Sequence, residues 1–497
     1  MKPSQIYKPS LALLTDFYEL TMAQGYFAKG MQDTPAVFNM FFRKNPFGAG
    51  FTLACGLAAV TDFIENLHFD GEDIAFLRAQ TDDRGEPLFS EPFLTYLADL
   101  KLSLDVDGIP EGTVVFPQEP LLRVRGPLAQ AQLVETAILT LINYSSLVAT
   151  KAAQVAAVAG GPVLEFGLRR AQGIDGGLSA SYAAYVGGCA ATSNTLAGRL
   201  FGIPVKGTHA HSWVLSFGSE RDAFEAYSQV MPGNATLLVD TYNTLGGVRH
   251  AIEAGLALRE RGGELAGIRL DSGDLAWLSK EARRLLDEAG FAKTKIVASN
   301  DLDVETIAAL REQGARIDIW GVGTKLVTCY DQPALGGVYK LVAIQEPDGT
   351  WRTPIKTSED PIKVTVPGVL AVRRFYDEHM VARADMIYEE GNEGSADEIL
   401  DPATDLRRDY LDSTWTTREL AVPVFRAGVR VYNPPTATEA RAAAAADLAT
   451  FDESTRRRLN PHRYPAGLEL GLYRRRSALI DAQIRRERRH SPAIKEG

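Results

Sequence analysis

Six short sets of polar residues in the middle of the chain have the types and spacing to do chemistry. They are Arg169-Arg170; Thr208, His209 and His211; Asp240, Thr241 and Tyr242; Arg269, Asp271, Ser272 and Asp274; Ser299, Asn300 and Asp301; and Gly321, Gly323 and Thr324. Arg269 and Asp271 alternate along an extended run, so both point to one face and bring a guanidinium beside a carboxylate. The guanidinium is a planar fork for a carboxylate or a phosphate. Asp271 and Asp274 are candidate ligands for a hydrated Mg2+, which takes carboxylates together with substrate phosphates. Glycines at 321 and 323 let backbone N–H groups approach a phosphate. His209-Ala-His211 reads as a nucleophile or acid/base pair, as a His-x-His metal pair, or as satisfied loop histidines. Arg169, Arg269, the glycine amides and an Asp-bound cation together describe a polyphosphate site, suited to phosphoryl or phosphoribosyl transfer. The acceptor stays open.

Each set follows a short apolar run: Val163–Phe166, Val205–Gly207, Thr236–Val239, Gly267–Leu270, Lys295–Ala298 and Ile317–Trp320. Helical patterns lie between, at Leu178–Leu200, Arg221–Val230, Leu245–Arg261, Leu275–Ala289 and Val304–Gln313. Six successive β-α units predict a parallel sheet. Polar residues at every strand end favour closure into a barrel with catalysis on that face. Val338–Ile344 is a candidate closing strand. Before this region, Asp16 to Glu19 has the pattern of a capping box opening a helix to about Phe27, Val37–Phe42 reads as a strand, and Leu128–Ala159 as one long helix. After it, Trp351 to Pro434 reads as short strands and turns, followed by helices rich in Ala (442–446) and Arg.

Composition narrows the classes. The chain has 497 residues, 45% hydrophobic and 23% charged, as in an ordinary globular protein. Its net charge of −10 argues against an extended nucleic-acid or anionic-membrane surface. The stretch from Phe451 is basic, with 12 Lys/Arg against 6 Asp/Glu, including Arg456–Arg458, Arg474–Arg476 and the cluster at Arg485–Arg489. It reads as a solvated or dimer-contacting tail. Cys55, Cys189 and Cys329 are scattered, so neither a disulfide framework nor a zinc ribbon is expected, and a reducing, cytoplasmic setting fits. No uninterrupted apolar run reaches about 18 residues, so no membrane span is expected.

Taken in order, the motifs resemble those of nicotinate phosphoribosyltransferases. They are Leu14-Thr-Asp-Phe-Tyr-Glu-Leu-Thr-Met22, Phe42-Arg-Lys-Asn-Pro-Phe47, Glu165-Phe-Gly-Leu-Arg-Arg-Ala-Gln-Gly173, Gly207-Thr-His-Ala-His-Ser-Trp213, Arg269-Leu-Asp-Ser-Gly-Asp-Leu275 and Gly321-Val-Gly-Thr324. The resemblance spans roughly residues 11–345. It implies an α/β fold: an irregular, TIM-like α/β barrel on an α/β sandwich built from both chain ends. The segments would divide as 1–130 (sandwich), 131–345 (helix and barrel) and 346–497 (return to the sandwich, then an Arg-rich extension). It also implies a homodimer with shared active sites. The implied reaction joins nicotinate to 5-phosphoribosyl-1-pyrophosphate, giving nicotinate mononucleotide and pyrophosphate. ATP hydrolysis would be coupled through a phosphohistidine, with Mg2+ required, on the Preiss–Handler salvage route to NAD.

By this resemblance His211 is the phosphorylated histidine. Tyr18, Thr208 and Arg269 contact nicotinate, Tyr18 from the partner subunit. Arg169, Gly323 and Thr324 hold phosphoribosyl pyrophosphate, and Asp271 lies near the reacting carbon. His209 departs from the family, which usually has an apolar residue there. The competing readings are a nicotinamide phosphoribosyltransferase, a barrel metal hydrolase and a non-catalytic nucleotide sensor. No nucleic-acid or membrane partner is expected.

Overall fold

The computed structural model describes residues 10–356, 365–392, 397–402 and 407–490, with side chains to 486. The chain divides into two compact units. One comprises Val148–Pro333 with Thr436–Arg441; the other is built from the chain before Val148 and after Pro333.

The first unit holds a six-stranded, all-parallel sheet: β1 (Val163–Glu165), β2 (Ala191–Thr192), β3 (Thr236–Leu238), β4 (Gly267–Leu270), β5 (Lys295–Ala298) and β6 (Ile319–Val322), in the order β2-β1-β6-β5-β4-β3. Runs such as Ile-Val-Ala are apolar on both sides, as a parallel sheet with both faces covered requires. Helices Glu220–Val230, Thr244–Glu260, Leu275–Glu288 and Val304–Glu312 fall where the periodicity predicts. Ser219, Asn243, Asp274 and Asp303 cap them, each accepting a backbone N–H from the first turn. The α/β class therefore stands.

Two strands differ from expectation. The second is Ala191–Thr192, inside the stretch expected to be helix, because the helix stops at Val186. Gly187 lies so close to the preceding long helix that a Cβ there would be 2.2 Å from the Ala149 carbonyl, and Gly188 has φ +114°. The run Val205–Gly207 forms only a bridge to Thr192. It belongs to a segment, 204–209, that links the two sheet edges. Backbone bonds join it to β2 (Thr192 N to Pro204 O and Lys206 N to Thr192 O, both 3.0 Å). Side-chain bonds join it to β3 and the residues before it (Asn234 Nδ2 to Gly207 O, 3.3 Å; Leu238 N to His209 Nε2, 3.1 Å). The strand ladder itself does not close into a continuous barrel. Val338–Gln345 is not a closing strand either: it pairs antiparallel with Pro35–Phe41 in the other unit.

That other unit contains a seven-stranded antiparallel sheet, in the order 351–352, 338–345, 35–41, 122–127, 105–108, 422–426, 429–430. It also holds a six-stranded mixed sheet drawn largely from 370–469. Arg374, fully buried, joins the unit's chain segments. It donates to both Asp385 oxygens (2.8 and 2.6 Å), to Asp447 (3.0 Å) and to the Val114 carbonyl (2.6 Å). The expected long helix is two: Leu128–Leu133, then Glu135–Ala159, which runs from one unit into the other. Residues 128–159 are apolar and long enough to cross a membrane, yet 67% of their most apolar window is buried inside the protein.

The capping box at Asp16 does not form. Helix Phe17–Ala28 has no side-chain cap, and Asp16 instead accepts from the Thr136 hydroxyl at 3.0 Å. Glu19 turns inward, is fully buried, and accepts from Gln132 Nε2 at 2.6 Å. The basic tail is partly structural. Arg475 pairs with Glu389 at 2.6 Å, and Arg476, buried, donates to the Pro402 carbonyl. The side chains of Glu487, Arg488 and Arg489 lie outside the described residues.

Candidate active site

The site is built on the carboxyl ends of the parallel strands. Glu165 ends β1 as a buried carboxylate, accepting from Gly167 N, the Ser181 hydroxyl (2.9 Å) and the Thr192 hydroxyl (2.6 Å). It fixes the loop that carries Arg169, which sits exposed in the turn Leu168–Arg170. Gly167 packs against Val327, where a Cβ would lie 2.2 Å from Cγ1. A Cβ on Gly323 would lie 3.1 Å from the Phe166 carbonyl. The loops after β1 and β6 are thus laid against each other, with Arg169 on one and Gly323 and Thr324 on the other. Thr324 opens a single helical turn, Thr324–Val327, and Lys325 is neutralised by Asp303 at 2.6 Å.

Arg269 is the hub of the network beside them. Its Nε donates to the Ser299 hydroxyl (2.7 Å), one terminal nitrogen to the Thr208 hydroxyl (3.1 Å) and the other to Asp271 Oδ1 (2.9 Å). Each terminal nitrogen keeps one N–H for a ligand. Its guanidinium lies 5.8 Å from the Phe166 ring centroid. Ser299 also donates to Asp271 Oδ1. Burial pushes the Asp271 carboxyl up, but the Ser299 hydrogen bond and the Arg269 charge outweigh it and hold the group below the usual carboxylate range.

His211 is the first residue of the helix His211–Leu215 and its side chain is 41% exposed, so a substrate can reach it. Its Nδ1 lies 3.0 Å from the Thr241 hydroxyl. Its Nε2 faces two carboxylates, Asp271 Oδ2 at 3.7 Å and Asp240 Oδ1 at 3.9 Å. Asp240 Oδ2 accepts from Asp271 N (2.9 Å) and the Ser272 hydroxyl (2.6 Å). Its Oδ1 is fully buried and has no hydrogen-bond partner among the described residues. Sequence reasoning assigned no individual role to Asp240, Thr241 or Ser299, although each lies just after a strand. A charged or hydroxyl residue directly after an apolar run was the available signal.

His209 is 7% exposed and both its ring nitrogens are engaged. Nε2 accepts from the Leu238 N–H, which puts the proton on Nδ1, 3.2 Å from the Ala210 carbonyl. It therefore offers no nitrogen to a metal or a phosphoryl group. Asp274 spends Oδ1 on the helix cap at Trp277 N. Tyr18 lies in the other unit, on helix Phe17–Ala28, and is half-exposed. Burial, then the charges of Glu135 and Glu19, push its phenol well up.

A parallel sheet with a histidine, carboxylates and an arginine fork at its carboxyl edge is the architecture of an α/β enzyme acting on anionic substrates. Comparison with known proteins narrows the class. The family profiles described as the nicotinate phosphoribosyltransferase N-terminal and C-terminal domains match residues 13–143 and 371–476. A nicotinate phosphoribosyltransferase of Bacillus subtilis is 41% identical over 465 residues, covering 92% of this chain and 93% of its own length. One from Mycobacterium tuberculosis is 46% identical over 392 residues, covering 79% and 81%. The crystal structure of human nicotinic acid phosphoribosyltransferase matches with a TM-score of 0.80 at 33% identity, over 94% of this chain and 99% of that one. The chain belongs to the nicotinate phosphoribosyltransferase family.

Proposed function

We propose that the protein joins nicotinate to 5-phosphoribosyl-1-pyrophosphate, releasing nicotinate mononucleotide and pyrophosphate. ATP hydrolysis is coupled through phosphorylation of His211, in the salvage of nicotinate to NAD. The observation that carries this reading is the Arg269–Thr208–Asp271–His211 constellation in a chain of this family. The two free N–H groups of Arg269 suit the nicotinate carboxylate as a charge-assisted pair. Uncharged nicotinamide would leave that charge unmet, which disfavours it as substrate. With nicotinate held there, its ring nitrogen attacks the anomeric carbon, the C–O bond to pyrophosphate breaks, and pyrophosphate leaves with its electron pair. Asp271, kept ionised by Arg269 and Ser299, stabilises the positive charge that develops on the sugar. In this reading Arg169, Gly323 and Thr324 hold the ribose phosphate. Tyr18 would reach nicotinate from the partner of a homodimer.

For the coupled step, a His211 nitrogen attacks the γ-phosphorus of ATP and ADP departs. Asp240 and Asp271 stabilise the imidazolium as the bond forms. Water later cleaves the P–N bond. Among the described residues no set of three His, Cys, Asp or Glu side chains forms a metal cage. Mg2+ binds through one or two carboxylates plus substrate phosphates rather than such a cage. Asp271 Oδ2 is the oxygen that would hold it, where it would offset phosphate charge. The buried free thiols of Cys55, Cys189 and Cys329 suit a reducing, cytoplasmic setting.

Incubation with γ-labelled ATP tests the phosphohistidine. Acid-labile label is expected on wild type and absent from His211→Ala. Label persisting in that variant, at any residue, contradicts the assignment.

A further inference from the structure

His209, in the Gly207–Trp213 motif, is left unused by the proposed chemistry, and it is buried where it cannot meet a substrate. The edge strand β3 pairs with β4 on one side only, and Leu237 and Val239 face that partner. The Leu238 N–H faces the other way, where no strand runs. A buried backbone donor there must find an acceptor or cost roughly 1–3 kcal/mol. The His209 ring supplies it at 3.1 Å. The same ring sits edge-on to Tyr227 at 4.8 Å between centroids and lies against Phe224 at 6.1 Å, both on helix Glu220–Val230. Two residues along β3 from Leu238 stands Asp240, and two residues along the other segment from His209 stands His211. The bond at 209–238 is thus the last fixed point before His211 meets Asp240 and Thr241.

We propose that His209 is a positioning residue, whose ring ties segment 204–210 to the β3 backbone and so sets the register of His211 against Asp240, Thr241 and Asp271. An apolar side chain in its place fills the volume but leaves Leu238 N–H unpaired and residues 209–210 without their tie to β3. The function requires a neutral ring, since Nε2 must accept. Burial, then the charges of Arg269 and His211, disfavour protonation, against the Ala210 carbonyl, which favours it. Tyr227 is the other titratable group facing the ring. Protonation would set a donor against the Leu238 donor, so the tie fails as pH falls.

The part of this that concerns catalysis rests on His211 as the phosphorylated residue; the positional claim does not. The test uses the full-length protein with His209→Leu and His209→Gln, the glutamine keeping an acceptor near the place of Nε2. Each is assayed for phosphoenzyme formation and turnover against pH. The His211 ring chemical shifts at fixed pH are read by NMR of ring-labelled histidine, with His211→Ala for assignment. His209→Leu should lower the phosphorylation rate roughly tenfold or more, as misplacement of a reacting group does, move the His211 ring signals, and leave the nicotinate KM within about twofold. His209→Gln should recover most of the rate and lose the part of the acid limb due to His209. If wild type and His209→Gln share the same acid limb, or His209→Leu leaves both His211 ring signals and rate unchanged, the proposal is overturned. Should His209→Leu fail to fold, the comparison of wild type with His209→Gln decides alone. If His211→Ala still takes up label while His209→Leu moves the His211 ring signals, the phosphohistidine reading fails and the positional one stands.

Discussion

Arg269 is committed three times over before any ligand arrives, and this decides what its removal would do. Arg269→Ala strips the fork from nicotinate and also takes from Asp271 the charge that keeps its carboxyl low. Nicotinate affinity is expected to fall about 100-fold or more, the loss of a charge-assisted pair of roughly 3 kcal/mol. Affinity for phosphoribosyl pyrophosphate should change far less. Parallel binding titrations check this, and equal losses would remove nicotinate from Arg269. Asp240→Asn tests the neighbouring carboxylate. The phosphorylation rate should drop about 100-fold, as for loss of an oriented general acid–base partner. A phosphorylation rate within about twofold of wild type would contradict the role of Asp240. The Arg269–Asp271 pairing was legible in the sequence from alternation along a strand. The buried orphan oxygen of Asp240 was not, because whether a post-strand aspartate caps a helix, as Asp274 does, or faces a histidine depends on the packing around it.

Among the elements, the parallel strands and their helices were readable because apolar runs and caps recur locally. The link between the sheet edges was not. Val205–Gly207 suggests a strand, yet only Val205 bridges to a strand, and the tie to β3 comes from side chains, Asn234 on the Gly207 carbonyl and the His209 ring on Leu238 N–H. Helix Phe17–Ala28 carries the same lesson. The Asp16 to Glu19 spacing fits a capping box, but Gln132 draws Glu19 into the interior. There burial, and the nearby Glu135 charge, outweigh the Gln132 hydrogen bond and push its carboxyl to about 7 from an ordinary 4.5. A carboxyl raised on folding contributes stability at pH below about 4.5 and loses it as pH rises through about 7. Thermal melts from pH 5 to 8 should therefore show a decline that Glu19→Gln flattens. A Glu19→Gln variant with the full wild-type slope would place the titration elsewhere.

Across the whole molecule, the unit built from both chain ends depends on contacts far apart in sequence. Arg374 ties Val114, Asp385 and Asp447 together, with no exposure of its own. Replacing it with Met takes the arginine partner from the buried Asp385, while Asp447 keeps Arg418, and should cost about 3–5 kcal/mol in denaturant unfolding. A loss under about 1 kcal/mol would show that the network is dispensable. Net charge of −10 excludes an extended basic surface, not polyanionic substrates. A few arginines and backbone amides can hold these within an acidic protein. Turnover by the purified protein tests the proposed reaction most directly. Purified protein given phosphoribosyl pyrophosphate, Mg2+ and ATP should convert nicotinate to its mononucleotide with release of pyrophosphate, and nicotinamide far more slowly. Equal or preferred use of nicotinamide, or no mononucleotide from either base, would contradict it.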